Sequence, residues 1–113
     1  AYLFASVPGI CDIGSYTGDG LSRTIDCGFT SGTRFLLIKR TDGTGGWFVW
    51  DSERGMNSGT PMKYLRLDSN ISEQNGRWVY GDHPAGFGLS AMNSYITEVN
   101  VSGHEYIYMA IAQ

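Results

Sequence analysis

Charged residues are scarce in this chain, since Asp, Glu, Lys and Arg make up only 17% of its 113 residues. A typical globular protein has about 25%. The scarcity excludes a disordered tail, which needs high charge and few aromatics. Aromatic residues make up 13%, and there are 16 glycines. Many glycines combined with many aromatics are typical of short strands joined by tight turns.

Basic clusters and long apolar runs are also lacking. Eight Lys and Arg against eleven Asp and Glu give a net charge of −3. No basic run offers a footprint for nucleic acid or for an anionic membrane. The longest apolar run, residues 106–112, is far too short to span a bilayer, and no signal peptide is recognisable. We therefore expect a single domain over residues 1–113, with no nucleic-acid partner and no membrane insertion.

Cysteine and histidine occur only twice each. Cys11 and Cys27 lack the spacing of a redox motif, and free thiols are favoured over a single bridge. His83 and His104 stand apart, without the spacing that zinc sites use. The sequence therefore predicts no metal and no cofactor.

Catalytic motifs are absent as well. There is no nucleophile elbow, and the glycines at 43–46 lack the Lys and the helix of a phosphate-binding loop. Asp51 and Glu53 are the best carboxylate pair, but the neighbouring Arg54 makes a surface ion pair the better interpretation. We expect no catalytic residues and no enzyme activity. A polysaccharide-degrading domain, which needs only two carboxylates, is the alternative.

Strand signals run through the whole sequence. Residues 33–41 (TRFLLIKRT) and 47–51 (WFVWD) are β-rich runs around a glycine-rich loop that opens with Asp42-Gly43, which predicts a hairpin. Shorter strand candidates are residues 12–16, 23–27, 62–67, 77–80, 86–89, 95–101 and 105–112. Short strands at about ten-residue spacing, with no helix between them, predict an all-β fold. We expect an antiparallel, jelly-roll-like β-sandwich.

Strand alternation also assigns side chains to faces. Phe35, Leu37, Ile107 and Met109 occupy alternate positions in the two most apolar runs, so we predict that they belong to the core. The large aromatics are the candidate contact residues for a subunit interface or a glycan, with core packing as the other interpretation. They are Trp47, Trp50, Trp78, Tyr64 and Tyr80. Because Trp47 and Trp50 face opposite ways on one strand, at least one of them is a contact candidate.

Four segments resemble a module that is repeated in tailed-phage tail fibres and other virion structural proteins. They are residues 13–20 (IGSYTGDG), 35–42 (FLLIKRTD), 47–55 (WFVWDSERG) and 99–112 (VNVSGHEYIYMAIA). They follow one another in the family's order and cover more than half of the chain. Asp19 stands where the family usually has Asn. Residues 57–86 are not matched.

The resemblance implies a function in the virion. It implies a module at the virion surface, in a tail or head fibre, that assembles with other virion proteins and binds host-surface glycan. It also implies a homo-oligomer, most commonly a trimer. In the family a strand like residues 2–5 precedes the motif, which fits a tandem array in which the chain is one unit with residues 1–8 as the entering strand. The alternative is a single sandwich whose terminal strands pair as neighbours, and the similarity of residues 2–5 to residues 109–112 taken alone favours that alternative. A capsid decoration protein and a carbohydrate-binding module are the alternatives.

Overall fold

The computed structural model describes residues 4–56, 63–75, 79–81, 83–91 and 99–113. The described strands in chain order are β1 Cys11–Thr17, β2 Arg23–Asp26, β3 Thr33–Arg40, β4 Trp47–Asp51, β5 Lys63–Arg66, β6 Gln74–Asn75, β7 Val79–Tyr80, β8 Gly86–Leu89 and β9 Glu105–Ala112. A 3-10 turn, Ser52–Arg54, follows β4. Within these ranges no helix is long and apolar enough to cross a membrane.

The strands form two antiparallel sheets that pack face to face. One sheet has six strands in the order β1-β9-β3-β4-β5-β6, and the other has three in the order β2-β8-β7. The last strand, β9, therefore lies between β1 and β3 in the middle of the larger sheet. The prediction of an antiparallel β-sandwich is confirmed.

Most of the predicted strands are present. The hairpin is confirmed, with Leu36 opposite Trp50 and Ile38 opposite Phe48 in the β3–β4 register. The turn after β1 carries the chain from the larger sheet to the smaller one. The strand predicted for residues 95–101 is not found in its described part, 99–101, and its other residues lie outside the described ranges.

The core lies between the two sheets. The larger sheet contributes Leu36, Ile38 and Trp50, each with no exposed surface, and the smaller sheet contributes Phe87 and Leu89. Both cysteines are free, as predicted, with Cys27 buried and Cys11 half-buried.

The structure corrects the prediction of four core residues, because they lie on the side of the larger sheet that faces away from the core. Ile107 is exposed, and Phe35, Leu37 and Met109 are half-buried outside the core cluster. The buried positions in the same two strands are their direct neighbours, namely Leu36, Ile38, Tyr106, Tyr108 and Ala110. In β3 both sides are apolar, so alternation alone does not show which side faces inward. A shift of one residue inverts the assignment.

Tyrosines fill much of the core between the sheets. Tyr16 stacks on Tyr106 with ring centroids 5.2 Å apart, and Tyr108 meets Phe87 edge to face at 5.1 Å. Their hydroxyl groups find partners, since Tyr16 donates to the Val99 carbonyl over 2.7 Å and Tyr108 donates to the Asp12 carboxylate over 2.6 Å. A buried phenol needs such a partner, and this explains why tyrosines can replace aliphatic residues here.

The free edge of β1 is covered by the chain around it. Val7 and Cys11 exchange two backbone hydrogen bonds of 3.0 Å. The Ile13 amide donates to Ser6 Oγ over 2.9 Å, and Arg23 donates to the Thr17 carbonyl over 2.6 Å. Three outward-facing positions along this edge therefore already have hydrogen-bond partners.

Candidate functional site

An apolar row crosses five strands on the solvent side of the six-stranded sheet. In the strand register Ile13 lies opposite Met109, Met109 opposite Leu37, Leu37 opposite Val49, and Val49 opposite Leu65. Neighbouring strands are about 4.8 Å apart, so the row is roughly 19 Å long. We call this row, together with Trp47 and Ile107, the outer face.

Trp47 and Ile107 bring the most exposed apolar surface to the outer face. Both lie opposite Lys39, Trp47 from β4 and Ile107 from β9. They are 40% and 44% exposed. Phe4 and Leu67 flank the same region, and together these residues line a shallow groove of about 690 Å³. A partner surface that packs against the outer face would therefore bury a tryptophan and several aliphatic side chains.

Charged groups at the outer face are few. Lys39 lies near its centre, where its ammonium donates to the Arg40 carbonyl over 2.6 Å. Among the described residues it forms no ion pair. Asp68 lies at the margin, where it accepts hydrogen bonds from Arg66 and from the Trp47 amide, each 3.2 Å long. The hydrogen bond from Arg66 is the main cause that lowers the pKa of the Asp68 carboxyl below its ordinary value.

The five predicted contact residues do not form one site. Trp47 lies on the outer face. Trp50 is wholly buried in the core, which corrects its assignment as a contact residue. Tyr64 is half-buried and packs against Phe48 and Trp50, with ring centroids 5.5 and 6.0 Å away, on the inner side of the sheet. Tyr80 lies on the smaller sheet, and Trp78 lies outside the described residues.

Of the carboxylate pair considered from the sequence, Asp51 is part of an ion-pair cluster, and the second carboxylate of that cluster is Glu73 rather than Glu53. Asp51 binds the Arg54 guanidinium and accepts from the Arg54 amide over 2.8 Å. Glu73 pairs with Arg54 at 3.0 Å and with Lys63 at 3.4 Å. In the described part of the chain, no three His, Cys, Asp or Glu side chains are grouped closely enough to hold a metal ion.

Sequence reasoning placed Leu37, Ile107 and Met109 in the core and so missed the outer face. The signal was present in the run 33–41, whose middle is apolar at odd and even positions alike. Such a strand is buried on both sides when its sheet is covered on both sides. In this chain one side packs on the smaller sheet and the other is the outer face.

The fold and the outer face together define a small antiparallel β-sandwich with an apolar outer sheet surface, which is half-buried or buried along its row and exposed at Trp47 and Ile107. The chain belongs to the family described as Domain of unknown function (DUF7483), whose family model matches residues 1–113. No curated protein and no solved structure shows a significant match to the chain. The family's description names no activity, so the resemblance to phage virion modules stays a prediction.

Proposed function

We propose that the chain is a structural and adhesive module of a phage virion fibre, which assembles with further copies of itself through the outer face. The observation that carries the assembly is the apolar row from Ile13 to Leu65, flanked by the exposed side chains of Trp47 and Ile107. The virion setting and the trimeric state follow from the resemblance of the four sequence segments. Neither depends on the geometry of the sheet.

The composition of the outer face favours a protein partner. Trp and Met are enriched in interface centres, where charged residues are depleted. The outer face contains both Trp47 and Met109, and Lys39 is the one charged side chain in its central rows among the described residues. Large contiguous apolar patches on soluble monomers tend to mark interaction sites.

The charge of the chain permits a second copy as that partner. The net charge of −3 is small for 113 residues, so the repulsion between like copies is weak. Closed symmetric assemblies are the commonest homo-oligomers, and the resemblance implies a trimer among them.

Light scattering on the purified chain tests the assembly. Measurements should cover a roughly hundredfold concentration range, since mass action makes association concentration-dependent. We expect a mass of three chains at the upper end. Ile107→Ser should shift the transition to higher concentration, whereas Leu21→Ser should not, because Leu21 is an exposed aliphatic residue away from the outer face. A strictly monomeric mass throughout, or equal effects of the two variants, would reject the outer face as the interface.

Electron microscopy tests the location in the virion. An antibody against the chain should label fibres in negatively stained phage particles. Label spread over the capsid shell would instead establish the decoration alternative. Particles without any label would contradict a virion function.

A further inference from the structure

A second concave surface lies on the solvent side of the three-stranded sheet. Thr24 on β2 and Tyr80 on β7 both lie opposite Gly88 on β8, so the glycine separates them. Two strand spacings place the outer two backbones about 10 Å apart. With Ser22, His83 and Pro84 these residues line a groove of about 480 Å³, which we call the β8 groove.

Glycine makes the floor of the β8 groove. A Cβ atom at position 88 would lie 3.4 Å from Tyr80 Cδ2 and 3.7 Å from the Arg23 carbonyl oxygen. The tyrosine side chain therefore lies directly beside the backbone of β8. Because Tyr80 is only half-buried, part of it forms a wall of the groove. A ligand in the groove meets the exposed part of an aromatic side chain, beside the largely buried backbone of β8.

The polar groups of the β8 groove are left mainly with donors. Tyr80 Oη accepts from Ser90 Oγ over 3.0 Å, Ser22 Oγ accepts from the Ala91 amide over 3.1 Å, and His83 Nδ1 accepts from the Ala85 amide over 3.3 Å. Each still has an O–H or N–H to donate. Thr24 is exposed, and its hydroxyl can both donate and accept.

The β8 groove is also close to neutral. Arg23 borders it, but its guanidinium is directed elsewhere, donating to the Thr17 carbonyl over 2.6 Å and lying 5.7 Å from the Tyr16 ring centroid. No carboxylate is found among the described residues that line the groove. Among these described residues a cationic ligand finds no carboxylate, and an anionic ligand finds only a guanidinium that is already engaged elsewhere, so neither regains what it loses in hydration.

We propose that the β8 groove binds a neutral sugar ring, as one unit of a surface polysaccharide. A pyranose has an apolar face of C–H groups that suits the Tyr80 ring, and hydroxyl oxygens that accept from Ser22, His83 and Tyr80. The proposal rests on the adhesive part of the proposed function and gives it a site. The outer face and the β8 groove lie on opposite sides of the sandwich, so copies joined through the outer face leave the groove open.

NMR titration of the ¹⁵N-labelled chain tests the proposal. The probes are methyl β-D-glucopyranoside, methyl α-D-mannopyranoside and methyl α-D-galactopyranoside, with methyl β-D-glucuronide as the charged counterpart. We expect at least one neutral glycoside to shift the amide signals of Thr24, Gly88 and Tyr80 at millimolar concentration. No shift with any neutral glycoside, shifts confined to other residues, or shifts with the glucuronide alone would overturn the proposal.

Two variants separate the β8 groove from non-specific contact. Tyr80→Ala removes the aromatic wall, and we expect about tenfold weaker binding. Gly88→Ala adds a methyl group at ordinary contact distance from Tyr80, so the fold is retained while the floor is filled, and binding should be lost. Ile71→Ala removes an exposed aliphatic side chain that lines neither the outer-face groove nor the β8 groove, and this variant should bind the sugar as the unchanged chain does.

Unchanged binding in Gly88→Ala would refute the groove even if Tyr80→Ala failed to fold. The NMR test of sugar binding is also independent of the light-scattering test of self-association. Sugar binding can be absent while Ile107→Ser still weakens the oligomer. Conversely, the chain can be monomeric while the sugar still shifts the amide signal of Gly88.

Discussion

Gly14 on β1 lies directly opposite Tyr108 on β9, and the tyrosine ring occupies the space that a side chain at position 14 would take. A Cβ atom there would lie 2.7 Å from the phenolic oxygen and 2.9 Å from the ring carbon that bears it. The phenol is held in place by its 2.6 Å hydrogen bond to Asp12. The glycine is therefore a packing requirement of the tyrosine core.

Replacing Gly14 by Ala should destabilise the fold. Overpacking of a filled core typically costs about 1–3 kcal/mol, and we expect a loss in that range from urea unfolding. Ser15→Ala is the matched control, because Ser15 is an exposed neighbour on the same strand. If both variants unfold at the same urea concentration, Tyr108 has room to move and the packing requirement does not hold.

Adjacent leucines on β3 should differ in their contribution to stability. Leu36 has no exposed surface and lies in the core, whereas Leu37 lies on the outer face. Leu36→Ala should cost about 2–5 kcal/mol, the usual range for a buried leucine, and Leu37→Ala clearly less. Thermal unfolding of the two variants at a concentration where the chain is monomeric measures the difference. A larger loss for Leu37→Ala would restore the orientation inferred from the sequence.

The buried amide of Asn100 connects three loops. Its Nδ2 donates to the carbonyls of Leu21 and Ser90 over 2.8 and 3.1 Å, and its Oδ1 accepts from the Asp19 amide over 3.2 Å. Asn100→Asp keeps the shape but replaces the donor by an oxygen. We expect a loss of about 1–3 kcal/mol or more, the usual cost of unsatisfied buried groups.

Chemical denaturation measures the loss, and Asn70→Asp provides the control because Asn70 is exposed. Similar stabilities for these two variants would show that the loops are held without the amide.

Stability should fall in alkaline solution. Burial raises the pKa of the Cys27 thiol from 9.0 to about 12, and it also raises the pKa of the Tyr16 and Tyr108 phenols above 10.0. In the unfolded chain these groups lose their protons at the lower, ordinary values. The contribution of these buried groups to the free energy of unfolding is therefore complete below about pH 9 and declines as the pH rises towards 12.

Urea unfolding at a series of alkaline pH values measures this decline. Tyr16→Phe should show a shallower decline, since one of the three titrating groups is gone. A free energy of unfolding that is constant from pH 9.0 to about 12 would contradict the burial of these groups.

Local patterns predicted the hairpin and the opposite orientation of its two tryptophans. Asp42-Gly43 marks the turn. Because side chains alternate between the two faces of a strand, Trp47 and Trp50 face opposite sides whatever surrounds them. Which tryptophan faces the core depends on the second sheet. That sheet pairs β8 with the nearby β7 and with β2, which is distant in sequence, and no local signal specifies the pairing of β2 with β8.

The same limit applies to the candidate surfaces. Tyr64 and Tyr80 are similar aromatic residues in short strands, yet Tyr64 packs beside Trp50 and Tyr80 borders the β8 groove. From the sequence alone, a glycine inside a strand such as Gly88 predicts no more than a weaker strand. Its value as a groove floor depends on Thr24 and Tyr80, which reach it from both sides only after the sheet has formed.

The covered edge of β1 limits how copies can join. An open edge is a template onto which a neighbouring chain can add a strand, and repeated addition produces fibrils. Here Ser6, Val7 and Arg23 already occupy hydrogen-bonding groups that such a strand would need. Copies of this module would therefore not extend the larger sheet across this edge, and any association through the outer face would pack side chains of finished sandwiches and stop once the symmetry closes. A continuous β-ribbon running from subunit to subunit is disfavoured at this edge.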